Sequence, residues 1–122
     1  MLYRSAIIRC VPVSIDQFRK LALGCPDAIE GEHQGHPDFR HNGRIFATIH
    51  PDGETVMVKL PPGTQAELIA ASDAFRPASG AWGRAGSTLV DLSGVTLAVM
   101  RDAVTDAWQF AAAMTATQRA KK

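Results

Sequence analysis

Apolar and polar positions alternate on both sides of the dipeptide Asp52–Gly53: Ile45, Ala47 and Ile49 precede it, and Val56, Val58 and Leu60 follow it. A hairpin closed at that dipeptide pairs Ile49 with Val56, Ala47 with Val58 and Ile45 with Leu60. One face then comes out wholly apolar, as a half-buried antiparallel sheet requires. The opposite face collects Arg44, Phe46, Thr48, Met57 and Lys59. Asn42–Gly43 marks an earlier hairpin, because a type I′ turn needs positive φ at both central positions. That hairpin sets Phe39 opposite Phe46 and Arg40 opposite Ile45. The second pair is a mismatch, met either by an Arg40 that snorkels outward or by a bulge. "AIEGEHQ" (28–34) reads as a further strand weakened by Gly31, and "STLVDL" (87–92) as another.

Helical spacing governs three other stretches. Ile15, Phe18, Leu21 and Ala22 recur with a helical period after Ser14, an N-cap whose capping-box partner is Gln17; Gly24 and Pro26 end the helix. "PPGTQAELIAAS" (61–72) reads as a second helix, with Pro62 in its first turn. Thr96 caps a long third helix whose buried seam is expected at Leu97, Met100, Val104, Ala107, Ala111 and Met114. "FRPASGAWGRAGS" (75–87) reads as irregular, with Trp82 as a hydrophobic plug. Helix, antiparallel strands, helix, strand and helix in that order predict an α+β domain: one antiparallel β-sheet with helices packed on one face. Residues 1–13 form a β-prone arm, 14–118 the domain, and 119–122 a basic tail.

With 122 residues, 46% apolar and 20% charged, the chain has the length and composition of one globular domain. No apolar run reaches the ~20 residues of a membrane span, so no membrane partner is expected. Cys10 and Cys25 match no metal spacing and read as reduced thiols of a cytoplasmic protein, with a disulfide between them as the lesser alternative. The formal charge is +1, but residues 14–118 hold 8 basic and 12 acidic groups, a net of −4. Any binding to DNA is therefore expected to be weak and salt-dependent, drawn chiefly from Arg4, Arg9, Arg119, Lys121 and Lys122 at the two ends. Residues 74–90 carry Arg76 and Arg84 with no acid and leave room for a local basic patch.

His33, His36 and His41, with Asp38 among them, are the candidate chemistry of the hairpins. They lack the shared helical face that a zinc site of this spacing would use, so no metal is expected. Solvated or hydrogen-bonded histidines at turns and strand ends are the simpler reading. His36 with Asp38 could form an acid–base pair, but no nucleophile is marked nearby. No catalytic residue and no cofactor is assigned. The glycines of "SGAWGRAGS" (79–87) lack the Lys-Ser/Thr ending of a phosphate loop. What remains is a contact set of Arg44, Phe46, Lys59, Arg76, Trp82, Arg84 and His36. An aromatic beside an arginine can stack on a base.

The stretches "LALGCPDAIEGEHQGHPDFR", "NGRIFATI", "VMVKL", "FRPASGAWGR", "TLVDL" and "AVTDAW" together resemble the YjbR/MmcQ family of small bacterial proteins. The residues that carry the resemblance are Pro26, the run Gly35-His36-Pro37, Phe39, Gly43, Phe46, Lys59, Pro77, Trp82, Gly83 and Trp108. It covers about Ser14 to Ala113. It implies a frataxin-like, double-wing arrangement and a DNA-binding label. It implies no enzymatic activity or catalytic residues. Two features depart from the family: Ser87 stands where a second Trp often does, and the arm has no counterpart. The alternative is a non-catalytic interaction domain that takes a small ligand or a protein on the outer sheet face. A metal-dependent His/Asp enzyme ranks third.

Overall fold

A computed structural model of the chain describes residues 12–120, and side chains as far as Met114. The expected arm therefore lies outside the described residues except for its last two, as do Cys10, Arg4, Arg9, Lys121 and Lys122. Val13, which closes the arm, is already core: it is buried, and its N–H donates to the Leu92 carbonyl.

Helix α1 (Ile15–Leu23) starts where the capping box predicts. The Ser14 hydroxyl accepts from the Gln17 N–H while the Gln17 side chain accepts from the Ser14 N–H. Strands β1 (Ala28–His33), β2 (His36–His41), β3 (Arg44–Ile49) and β4 (Thr55–Lys59) follow as a meander of hairpins. Helix α2 (Pro62–Ala71) leads to β5 (Phe75–Pro77), helix α3 (Gly80–Arg84) and β6 (Ser87–Asp91). After a 3-10 turn at Leu92–Gly94 comes α4 (Leu97–Ala120). The sheet order is β1-β2-β3-β4-β6-β5, antiparallel throughout, with helices on one face. The α+β class and the double-wing-like arrangement expected from the sequence are what the chain adopts. The Gly-rich region differs from expectation. Its start forms β5, which satisfies backbone groups at the edge that β6 leaves, and its middle forms α3.

The β3–β4 register is the one the alternation predicts: Ala47 pairs with Val58 and Ile49 with Val56. Its turn differs in type. The Gly53 N–H closes back on the His50 carbonyl, and only Gly53 takes positive φ (71°), while the Asp52 carboxylate accepts the N–H groups of Glu54 and Thr55. Asn42 and Gly43 both have positive φ, as type I′ demands, and so do Gln34 and Gly35 at a hairpin the sequence did not signal.

Arg40 pairs with Ile45 as expected, but a bulge follows, and Phe39 pairs with Ala47 in place of Phe46. The extra residue is Phe46. It is fully buried in the core, which corrects its assignment to the outer face beside Met57. The bulge resolves a conflict that strict alternation leaves: it buries Phe39, Phe46 and Ala47 together while Arg40 stays half-exposed.

The core lies between the sheet and the helices. Phe18 of α1 meets Phe39 edge-on with ring centroids 5.9 Å apart. From α4 it takes Met100, Ala103, Val104, Ala107 and Ala111. The ends of the expected seam, Leu97 and Met114, are instead 37% and 38% exposed. The Thr96 hydroxyl caps α4 through the Val99 N–H.

Candidate functional site

Three side chains from separate elements meet at one corner of the sheet. Arg44 opens β3, Lys59 closes β4, and Trp82 projects from the single turn of α3. Trp82 is 70% exposed, the largest exposed aromatic surface among the described residues and the reverse of a plug. The Lys59 ammonium lies 5.9 Å from its ring centroid, a cation–π distance. Arg44 and Lys59 also rim a hollow of about 10 Å³ against Ile45 and Phe110, too small to enclose a ligand.

Backbone packing holds the indole out. A Cβ on Gly83 would lie 2.0 Å from the Ala78 carbonyl oxygen, and one on Gly86 2.0 Å from that of Leu60. The glycines of this stretch thus allow close approach of backbones, and nothing about them requires a phosphate. From beneath, the buried Gln65 amide of α2 donates to the carbonyls of Gly83 and Ser87 and to the Thr88 hydroxyl. That single side chain ties α2, α3 and β6 together. The sequence reading missed it, because nothing in the chain around Gln65 marks a glutamine as buried.

At the corner, Arg44, Lys59 and Arg84 form no ion pair with a described residue. The acids Asp52, Glu54 and Asp91 sit at the opposite end, where Thr55 pairs with Asp91. Asp52 is held below the ordinary aspartate range by the N–H groups of Glu54 and Thr55 and the Thr55 hydroxyl. Asp91 is held below it by the Ser93 hydroxyl and N–H. The other expected contacts do not converge on the corner. Arg76 is exposed on β5 opposite Leu89, and its charge is felt by Asp91. Phe46 is core. His36 stands beside the Gln34–Gly35 turn, at the far end of the sheet.

Asp38 is the partner of His33, not of His36. Its carboxylate has no solvent exposure although it lies outside the main core. Arg40 Nε and one guanidinium nitrogen donate to its two oxygens at 2.7 and 3.0 Å, and His33 Nδ1 lies 2.7 Å from Oδ2. Gly31 makes room, since a Cβ there would sit 3.0 Å from Asp38 Oδ1 and 3.2 Å from Arg40 Nε. The Arg40 hydrogen bonds, and then those of His33, hold the Asp38 carboxyl below the ordinary 3.8 against the opposing effect of burial. The carboxylate therefore stabilises the fold above pH 3.8, and the contribution is lost as pH falls through the lower folded value. Carboxyl ¹³C titration should place Asp38 below 3.8, and Arg40→Gln should raise its midpoint. An Asp38 midpoint that ignores Arg40→Gln would contradict the pairing.

His41 is not a solvated strand-end histidine. It is buried, its Nδ1 has no hydrogen-bond partner, and its ring meets Trp108 edge-on at 5.5 Å. Trp108 in turn donates its indole N–H to the Pro26 carbonyl. Among the described residues no three His, Cys, Asp or Glu side chains are grouped so that they could hold a metal ion, and no helix is long and apolar enough to cross a membrane.

A family model described as YjbR matches residues 23–110. No curated protein and no solved structure matches the chain.

Proposed function

The chain belongs to the YjbR/MmcQ family, and from that premise we propose that it is a non-catalytic module that contacts DNA with unpaired bases through the Lys59–Trp82 corner. The observation that carries the reading is the exposed Trp82 with the Lys59 ammonium at its ring. A base needs a flat aromatic surface, and the phosphates on either side of it need cations. Arg44 and Lys59, with Arg84 two residues beyond Trp82 on α3, supply cations that form no ion pair with a described residue. Stacking requires an unstacked base, which favours single strands over duplex.

The outer sheet face offers less as an interaction surface. Phe46 is turned into the core, Met57 is half-buried, and Asp38 is locked by Arg40 and His33.

Binding is expected to be modest, because the −4 balance of residues 14–118 opposes a polyanion everywhere but at the corner. Titrating the full chain into a labelled oligothymidine should give a salt slope of about −2, the value for three phosphate contacts on a single strand. Trp82→Ala should weaken binding about 5- to 150-fold, while Arg76→Ala, away from the corner, should change it little. Equal affinity of wild type and Trp82→Ala, or tighter binding to duplex than to single strand, would overturn the reading.

A further inference from the structure

A second site lies on the helical layer. The end of α1 and the middle of α4 enclose an open groove of about 310 Å³, lined by Lys20, Leu21, Pro26, Arg101, Thr105 and Trp108, with Cys25 at its edge. That volume sits at the lower limit of small-molecule sites. We propose that this groove binds a small organic anion with a planar apolar body, of the class of aromatic carboxylates, sulfonates and phosphate monoesters.

The lining divides by chemistry. Leu21, Pro26 and the half-buried Trp108 indole form an apolar floor on which a ring can lie. Lys20 and Arg101 stand exposed at the groove, and neither forms an ion pair with a described residue. No carboxylate lines the groove; Asp102 and Asp106, the neighbours on α4, are not part of its wall. The groove meets the C-terminal end of α1, where unsatisfied carbonyls would repel an anion. Three of the last four are occupied. The Lys20 carbonyl accepts from the Gly24 N–H, that of Ala22 from the Cys25 N–H, and that of Leu21 faces the Cys25 thiol at 3.7 Å. The thiol is itself pushed up by burial, which disfavours the reactive thiolate.

The hydrogen bond from Trp108 to Pro26 joins two residues of the groove's wall and makes the indole N–H a reporter of occupancy. The chain has two tryptophans, so a ¹⁵N–¹H spectrum shows two indole signals, one from this groove and one from the Trp82 corner. Titration of the full chain with 8-anilinonaphthalene-1-sulfonate should move the Trp108 signal saturably and leave that of Trp82 in place. N-phenyl-1-naphthylamine, the uncharged analogue, should move it much less. Arg101→Gln, an exposed change that leaves the core intact, should weaken the sulfonate response about fivefold. A Trp108 signal that does not move, an equal response to the uncharged analogue, or an affinity unaltered by Arg101→Gln would each overturn the proposal. Movement of Trp82 alone would assign anion binding to the corner and equally remove the groove.

Discussion

Gly86→Ala should cost about 2–6 kcal/mol of stability, at its upper end the whole reserve of a marginal domain. Two independent effects combine. Gly86 has φ of 114°, a region L side chains rarely adopt, and occupancy of such a region costs about 1–3 kcal/mol. The new Cβ would also lie 2.0 Å from the Leu60 carbonyl oxygen. Leu60 cannot move away cheaply. Its side chain is fully buried, and its N–H donates to the Gly86 carbonyl at 2.9 Å. The same carbonyl accepts the Thr88 hydroxyl. Relieving the clash therefore breaks the seam between β4 and β6, and overpacking of this kind adds about 1–3 kcal/mol. Gly63→Ala is the control. It sits in α2 with nothing within 4 Å of the added methyl, so it should be neutral or stabilise by up to about 1 kcal/mol. Urea midpoints compare the pair. A Gly86→Ala loss below about 1 kcal/mol would show that Leu60 yields and that the seam is looser than its geometry indicates.

Phe39→Ala should destabilise the fold by about 3–5 kcal/mol. Phe39 is fully buried, packs edge-on against the equally buried Phe18, and follows directly on a bulge that orients it. Its removal strands one face of α1 and opens a cavity that the sheet cannot collapse into, because Phe39 is anchored by ladders to both β1 and β3. Ile29→Ala in the neighbouring strand removes a side chain that is 65% exposed and should change stability by no more than about 0.5 kcal/mol. Similar urea midpoints for the two variants would mean that the core does not centre on the Phe18–Phe39 pair.

The corner and the groove differ in how legible they were. Lys59, Arg44 and Trp82 were named from the chain because cations, and an aromatic beside an arginine in a Gly-rich stretch, are local signals; that Trp82 is exposed and not a plug was not legible there. Their convergence, and the departure of Arg76, Phe46 and His36 from the set, depended on pairings between residues far apart in sequence. The groove had no local signal at all, since Lys20 and Arg101 meet only when α1 packs on α4.

The sequence by itself determined what repeats or turns locally. The capping box of Ser14 and Gln17, the alternation around Asp52–Gly53, the type I′ pair Asn42–Gly43 and the central seam of α4 are each decided within a few residues, by side-chain period and by backbone dihedrals. Tertiary structure decided what depends on a partner. The bulge that buries Phe46 exists because two strands must share one core, and β5 exists because β6 leaves an edge to pair. Asp38 meets His33 across the β1–β2 ladder because residues 33, 38 and 40 share one face of adjacent strands, with Gly31 leaving the space between them. Trp82 stays in solvent because Gly83 and Gln65 clamp the backbone beneath it, a restraint set by contacts about twenty residues apart in the chain.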